Sequence, residues 1–172
     1  LAAAQAIDAG AQCALLAPTE ILATQHFRKL ADWLAPVLAE RSLQLAWLLG
    51  SQKKKAKAEN LAAIANGQAA LIVGTHALLQ DGVDYARLGL VVIDEQHRFG
   101  VAQRLALRGK GSTDAQGRAL EPHVLMMSAT PIPRTLAMSY YADLDVSTLD
   151  ELPPGRTPIA TSLLAKDRYA EL

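Results

Sequence analysis

The residues best suited to chemistry follow a short apolar run near the middle of this 172-residue chain. Leu90 to Ile93 lead directly into two acids, an amide and an imidazole, which are Asp94, Glu95, Gln96 and His97. An uninterrupted β-branched run predicts a strand buried on both faces, and ligands bind beyond the carboxyl ends of parallel strands. We therefore predict that Asp94 holds a hydrated Mg²⁺ that bridges nucleotide phosphates, while Glu95 orients and deprotonates the attacking water. The alternative is a strand end followed by an acidic helix N-cap.

Composition bounds the class of protein. Hydrophobic residues make up 51% of the chain, enough for a substantial core, and 17 basic residues balance 17 acidic ones. A net charge of zero requires any basic surface for nucleic acid to be local. The single Cys13 lies in an apolar run and is expected to be a small buried hydrophobe in a reducing compartment. No segment reaches the length of a membrane span and no secretion signal opens the chain, so the sequence predicts a cytosolic protein without a membrane partner.

Strand-like and helix-like segments alternate along the chain. Apolar runs predict strands at 12–16, 43–49, 71–73, 90–93, 123–127 and 145–149. The intervening segments have helical spacing, including one helix that Thr19 caps and Pro36 interrupts. This alternation favours right-handed crossovers and a parallel sheet covered by helices on both faces, so the predicted fold class is α/β.

Small polar groups follow four of the predicted strands. They are Pro18-Thr19-Glu20, Gly74-Thr75-His76, Asp94 to His97, and Ser128-Ala129-Thr130. A parallel sheet brings the carboxyl ends of its strands to one edge, so these groups are predicted to converge. Threonine at a strand-to-helix junction is usually only a cap, and it is therefore the series of four that indicates a site.

These four stretches resemble motifs Ia, Ib, II and III of the superfamily two helicases, in that family's order. Three further stretches narrow the resemblance to bacterial DNA helicases that remodel branched DNA and stalled replication forks: Arg98-Phe99-Gly100-Val101 with Gln103-Arg104, Thr130 to Thr135, and Asp150 to Arg156. The alternative is the motor domain of a transcription-repair coupling factor, which shares Arg98 to Val101. That protein typically has Glu where Gln96 stands and lacks the Pro-Pro-Gly-Arg linker.

The resemblance implies a RecA-like (P-loop NTPase) three-layer motor domain that uses ATP and Mg²⁺ on branched or forked DNA in the bacterial cytoplasm, at the nucleoid. Asp94 and Glu95 would hold Mg²⁺ with ATP and activate water, while Gln96 and His97 would connect the nucleotide to motif III. Coupling to DNA is implied for Ser128, Ala129, Thr130, Arg104 and Arg134, although the two arginines are equally consistent with surface salt bridges. Contact with the sugar–phosphate backbone is implied for Pro18, Thr19, Glu20, Gly74, Thr75 and His76.

The phosphate-cradling sequence G-x-x-x-x-G-K-[ST] does not occur in these residues. Gly109-Lys110-Gly111 does not replace it, because Lys110 is followed by glycine and no strand precedes it. The uncapped helical stretch at 1–9 resembles the helix that follows this loop in the family. We therefore expect 1–152 to be a partial first motor domain without its phosphate-loop strand, and 153–172 to be a linker and the start of a second. Such a chain is expected to lack ATPase activity alone and to expose a sheet edge open to strand-exchanged self-association.

Two other classes of protein remain open. A dinucleotide-binding oxidoreductase would share the parallel sheet, but no G-x-G-x-x-G follows a strand here. A non-enzymatic nucleotide- or protein-binding module would use Asp94 and Glu95 only as helix caps. Four further residues are assigned to packing: His26 and His123 as partly buried histidines, and Trp33 and Trp47 at positions spaced like a core.

Overall fold

Five parallel strands form the sheet at the centre of the computed structural model. β1 spans Gln12–Leu16, β2 Gln44–Leu48, β3 Ala69–Gly74, β4 Leu88–Ile93 and β5 His123–Met126. Their order across the sheet is β2-β3-β1-β4-β5, and every neighbouring pair is parallel. The structure describes residues 1–100, 103, 106, 109–111, 120–130, 145–151, 155–156 and 161. By its contacts the chain divides into two units, Leu1–Pro131 and Ile132–Leu172, and the sheet belongs to the first.

Helices cover both faces of the sheet. In the described part of the chain the α-helices with defined bounds are α1 (Ala2–Asp8), α2 (Glu20–Glu40) and α3 (Lys54–Ala65). On one face, Ala14 of β1 lies in an apolar cluster with Ile64 of α3. On the other face, Leu15 of β1 lies in a second cluster with Ile7 of α1 and Ala23 of α2. This three-layer arrangement confirms the predicted α/β fold.

Cys13 is fully buried in the second of these clusters. Its loss of hydration raises the pKa of the thiol to about 12, so the sulfur stays protonated at neutral pH. A protonated, buried thiol is inert as a nucleophile. The expectation of a small buried hydrophobe is confirmed.

Helix α2 continues through Pro36, so the predicted interruption is wrong. Proline removes one helical hydrogen bond and typically costs about 3 kcal/mol in a helix interior. Pro36 is exposed, and water can therefore satisfy the carbonyl that it leaves without a donor. Buried Leu38 anchors the last turn of the helix against the sheet.

The two tryptophans lie in different environments. Trp47 is half-buried and stacks on Phe27 with ring centroids 4.9 Å apart. Trp33 is 63% exposed, with the Lys29 ammonium 5.0 Å from its ring centroid, so its predicted place in the core is wrong. Leu30 and Leu34 pack against the sheet instead, and Trp33 falls outside that apolar stripe.

The predicted strand at 145–149 is also wrong. These residues have no regular secondary structure and are exposed. Val146 and Leu149 are spaced three apart, which does not fit the two-residue period of a strand. The segments with helical spacing that follow the predicted strands at 90–93 and 123–127 fall largely outside the described residues. Gln103 and Ala106, which are described, are helical. Within the described part of the chain, no helix has the length and apolar character that a membrane crossing needs.

Gln12 is a buried polar residue at the amino end of β1. Its side-chain amide donates to the carbonyl of Ile64 at 2.9 Å and to that of Ala69 at 2.7 Å, while its carbonyl accepts from the N–H of Arg87 at 2.9 Å. One side chain thus fixes the end of α3, the start of β3 and the segment that leads into β4. These contacts lie at the edge of the sheet opposite the predicted site.

We predict that Gln12→Leu lowers the free energy of unfolding by about 2–4 kcal/mol, because it removes three hydrogen bonds, two of them buried, that a leucine cannot replace. Urea unfolding followed by circular dichroism measures this. The matched control is Gln44→Leu at an exposed position of β2, which is expected to change stability by less than about 0.5 kcal/mol. Equal losses in both variants would contradict the assignment.

Candidate functional site

The polar segments that follow the strands lie along one edge of the sheet, as predicted. The strand order places the Gly74 segment, the Thr19 segment, the Asp94 segment and the Ser128 segment side by side. Backbone N–H groups beyond the strands donate to neighbouring carbonyls: Ala17 to Gly74 at 2.9 Å, Asp94 to Leu16 at 2.9 Å, and Gln96 to Met127 at 3.0 Å. The segments are therefore joined to one another as well as to their own strands.

Both carboxylate oxygens of Asp94 have a protein donor. Oδ1 accepts from the backbone N–H of Glu95 at 2.9 Å, and Oδ2 lies 2.7 Å from Nε2 of His26. His26 lies on α2, three residues after the fully buried Ala23, and so on the face that packs on the sheet. From the sequence His26 is expected only to pack, and this contact is not predicted. The available signal is that His26 follows Ala23 by three residues, which places both on the same face of a helix.

Glu95 has a left-handed backbone conformation, with φ 51° and ψ 52°. For a residue with a Cβ this conformation is uncommon and costs on the order of 1–3 kcal/mol, and such strain is concentrated at functional sites. The N–H of Glu95 is held by Asp94, so the turn is fixed at the point where the strand ends.

Two buried oxygens beside this turn have no hydrogen-bond partner among the described residues. They are Oε2 of Glu95 and Oε1 of Gln96. Nδ1 of His97 lies 3.3 Å from that same Glu95 oxygen. The Glu95 oxygen therefore has His97 as an ion-pair neighbour, whereas the Gln96 oxygen has no polar partner among the described residues. An unpaired buried acceptor is costly, which favours the binding of a further group there.

The acid pair fits Mg²⁺ that arrives with a nucleotide. Within the described residues no group of three or more metal-ligating side chains exists, so these residues form no all-protein cage. Mg²⁺ commonly takes only one or two carboxylates and fills its other positions with water and phosphate oxygens. Asp94 and Glu95, two adjacent carboxylates at the end of β4, match that mode of binding, and Oε1 of the neighbouring Gln96 has no hydrogen bond among the described residues.

Glu20 joins the start of α2 to the segment after β2. Its carboxylate accepts from the hydroxyl of Ser51 at 2.7 Å and from the N–H of Ser51 at 3.0 Å. These two bonds, first the hydroxyl and then the N–H, hold the pKa of the Glu20 carboxyl below its ordinary value, with a smaller contribution from His76. No motif in the sequence marks Ser51. Its contact with Glu20 joins the segment that follows β2 to the four predicted segments at this edge of the sheet.

Gly74 closes β3 where the backbone packs tightly. A Cβ there would meet the carbonyl oxygen of Leu48 and lie 2.9 Å from Cγ of Leu78, so glycine is required by space. The hydroxyl of the next residue, Thr75, is 2% exposed and has no hydrogen-bond partner among the described residues. His76 is exposed. Of this segment, it is therefore His76 whose side chain faces solvent.

The remaining predicted site residues differ in what the structure describes. Pro18 is half-buried, and Thr19 is exposed and caps α2 by accepting from the N–H of Leu22 at 3.3 Å. The hydroxyls of Ser128 and Thr130 lie 2.9 Å apart, with Ala129 exposed between them. Arg104 and Arg134 lie outside the described residues.

Lys110 does not serve a phosphate site in this structure. Its ammonium donates to the carbonyls of Gln80 and Val83, each at 3.0 Å. The lysine thus closes a surface turn, in agreement with the prediction that the Gly109 to Gly111 stretch is not a phosphate loop.

A family model of DEAD/DEAH box helicases matches residues 1–139, and the chain therefore belongs to that family. The particular protein that it resembles is the ATP-dependent DNA helicase RecG. The chain is 53% identical to RecG of Escherichia coli (strain K12) and 52% identical to RecG of Mycobacterium tuberculosis (strain H37Rv), all of this chain being covered in both. It spans about a quarter, 24%, of the length of each of these relatives. The resemblance to bacterial DNA helicases predicted from the motifs is confirmed.

Solved structures give the same result. The structure of RecG bound to a three-way DNA junction matches with a TM-score of 0.68 and 39% identity, over 94% of this chain and 20% of that one. The helicase MrfA bound to DNA and AMPPNP matches with a TM-score of 0.61 over 81% of this chain and 19% of that one. At 16% identity, that second match shows the fold alone. Together they confirm the RecA-like sheet.

We predict that Ser51→Ala raises the pKa of Glu20 toward its ordinary value, because the hydroxyl donor is lost and only backbone donors remain. In the folded protein the pKa is depressed, so the bonds of Glu20 favour folding above its unfolded pKa, and that contribution is lost as pH falls through the folded pKa. Carbon-detected NMR titration of the Glu20 carboxyl measures the shift. Ser42→Ala, remote from Glu20, is the control. Identical Glu20 titrations in the wild type and Ser51→Ala would contradict the assignment.

Proposed function

We propose that this chain is part of the first motor domain of an ATP-dependent DNA helicase that acts on branched DNA, reversing forks and migrating junctions in recombination and repair. The observation that carries the proposal is the place of Asp94 and Glu95 at the carboxyl edge of β4, between the Thr19 and Ser128 segments. The 53% identity to an ATP-dependent DNA helicase, RecG, supports it. The protein would act in the bacterial cytoplasm, at the nucleoid.

The two acids that follow β4 would carry out the hydrolysis of ATP. ATP would supply the phosphoryl group, and Mg²⁺ bound with it would offset the negative charge on the phosphate oxygens. Asp94 would hold the metal, through its waters, and Glu95 would take the proton from the attacking water. The left-handed backbone of Glu95 supports a functional role for this residue, because strain of this kind is concentrated at functional sites. Gln96 and His97 would pass the state of the nucleotide to Ser128, Ala129 and Thr130.

Contact with DNA would come from the segments on the β1 and β3 side of the acids. Hydroxyls, amides and helix N-termini bind phosphates without reading sequence, as a motor that moves along any DNA requires. The exposure of Thr19 and His76 supports direct contact by their side chains. Glu20, an acid, would contribute by holding Ser51, while Pro18, Gly74 and Thr75 would shape the backbone that faces the DNA.

The division of the chain follows from the same proposal. Residues 1–152 would belong to the first motor domain, and 153–172 would form a linker and the start of a second. The stiff Pro153-Pro154-Gly155-Arg156 segment supports a boundary there.

We predict that the full-length protein hydrolyses ATP in the presence of forked DNA and that Glu95→Gln reduces the rate by about 10²- to 10⁴-fold, the usual contribution of a general base. Nucleotide binding and the melting temperature are expected to stay near wild type, since the side chains have the same shape. Glu59→Gln, an exposed acid on α3, is the control and should retain activity. A Glu95→Gln variant with wild-type turnover would overturn the proposal.

The 172-residue chain alone is predicted to have no measurable ATPase activity, because the phosphate-cradling loop is absent from its sequence. An assay of phosphate release from ATP measures this. Turnover stimulated by DNA and abolished in Glu95→Gln would contradict it.

We also predict that the isolated chain self-associates through β5. Among the described residues this strand pairs with β4 alone, and its Leu125 side chain is 43% exposed. Exposed apolar edge strands pair readily with other chains. Sedimentation velocity should show dimers or larger species that Leu125→Lys disperses, whereas Val37→Lys, at an exposed site on α2, should not. A monomer at all concentrations would count against the prediction.

A further inference from the structure

His26 and Asp94 are 68 residues apart in the chain and form one of the shortest side-chain contacts of the site. Nε2 of the imidazole lies 2.7 Å from Oδ2 of the carboxylate. Both side chains are partly buried, 30% and 22% exposed, so the contact is neither free in solvent nor sealed in the core. No family motif quoted above includes His26.

The chemistry of the pair fixes the direction of the hydrogen bond. An ionised carboxylate only accepts, so Nε2 of His26 carries the hydrogen and donates it. Oδ1 of Asp94 is held from the other side by the N–H of Glu95 at 2.9 Å. Each carboxylate oxygen thus accepts from one protein donor, and each keeps further acceptor capacity for a metal-bound water. The two donors together fix the plane of the carboxylate.

We propose that His26 is a positioning residue for Asp94: by donating to Oδ2 it holds the carboxylate in the orientation that receives Mg²⁺ with ATP. The inference rests on the proposed function and names a residue that the motifs did not supply. Donors around a ligating carboxylate orient it, and removing such a partner typically weakens metal binding or activity by about 10- to 100-fold.

His26 also places Asp94 in contact with the helix that begins at the DNA-facing edge. Thr19, the cap of α2, lies seven residues earlier, about 10 Å along the helix. A helix of this length moves as a rigid element, so a shift of the Thr19 segment would change the distance between His26 and Asp94. The pair therefore gives a direct physical link between the segment proposed to contact DNA and the acid proposed to hold the metal.

A packing histidine would be replaceable by any ring of similar size, whereas a positioning histidine needs a donor at Nε2. Two substitutions separate these roles. His26→Phe keeps a ring and removes the donor, and His26→Gln removes the ring while keeping an amide donor of similar reach. His123→Phe and His123→Gln are the matched controls, because His123 is exposed on β5 and the prediction that it is partly buried is wrong.

The test uses the full-length protein with Mn²⁺ as the probe and a non-hydrolysable ATP analogue. Free Mn²⁺ is measured by electron paramagnetic resonance, and melting temperature reports folding. We expect His26→Phe to weaken Mn²⁺ binding by about 10- to 100-fold, and His26→Gln to restore most of it. In ATPase assays His26→Phe should raise the Mg²⁺ concentration for half-maximal rate and reduce the ratio of DNA-stimulated to basal turnover. The His123 variants should behave as wild type.

Two results decide the outcome. Wild-type Mn²⁺ affinity in folded His26→Phe would overturn the inference, as would equal losses in folded His26→Phe and His26→Gln. Should His26→Phe fail to fold, His26→Asn, whose shorter amide does not reach Oδ2, carries the same expectation. Failure of the proposed function is recognised separately, because wild-type turnover in Glu95→Gln would remove the catalytic role of the acids whatever the His26 variants show.

Discussion

Parallel pairing of β1 with β4 is the constraint on which the candidate site depends. In this register Leu16 lies opposite Ile93, and the N–H of Asp94 donates to the carbonyl of Leu16. The acid pair therefore emerges beside the start of α2, which follows β1. An antiparallel β4 would deliver Asp94 to the opposite edge, far from the Thr19 segment, and a slip of one residue would exchange the faces of the strand. The position of the candidate site is therefore determined by the pairing of the strands, and the side chains determine what can bind there.

The sheet itself follows from burial on both faces. Because β1, β3 and β4 are covered by helices above and below, their residues are nearly all apolar, and such runs are visible in a sequence. At the amino edge all the side-chain hydrogen-bonding atoms of Gln12 are bonded, whereas the carboxyl edge has a left-handed Glu95 and a buried Gln96 oxygen without a hydrogen bond among the described residues. Stability is concentrated at one edge and unsatisfied polar chemistry at the other, as expected of a scaffold that positions a binding site.

Local features were the ones that could be predicted from the sequence. Five strands and the convergence of four polar segments followed from apolar runs and from the geometry of parallel sheets.

The order of the strands could not be read from the sequence, because β1 pairs with β3 and β4, which are distant in the chain. The persistence of α2 beyond Pro36 and the exposure of Trp33 depend on which side of the helix meets the sheet. The contacts of His26 with Asp94 and of Ser51 with Glu20 join segments that are far apart in sequence, so no local pattern reports them. The functional class follows from the resemblance of the motifs, whereas the edge of the sheet that carries the candidate site follows from the geometry of parallel strands.

The most direct measurement is a structure of the full-length protein with Mg²⁺, a non-hydrolysable ATP analogue and forked DNA. The account predicts the metal beside Asp94, the γ-phosphate within reach of the Glu95 carboxylate through a water, and the DNA backbone against the Thr19 and His76 segments. A nucleotide bound away from this edge, or DNA lying against the amino ends of the strands, would contradict it.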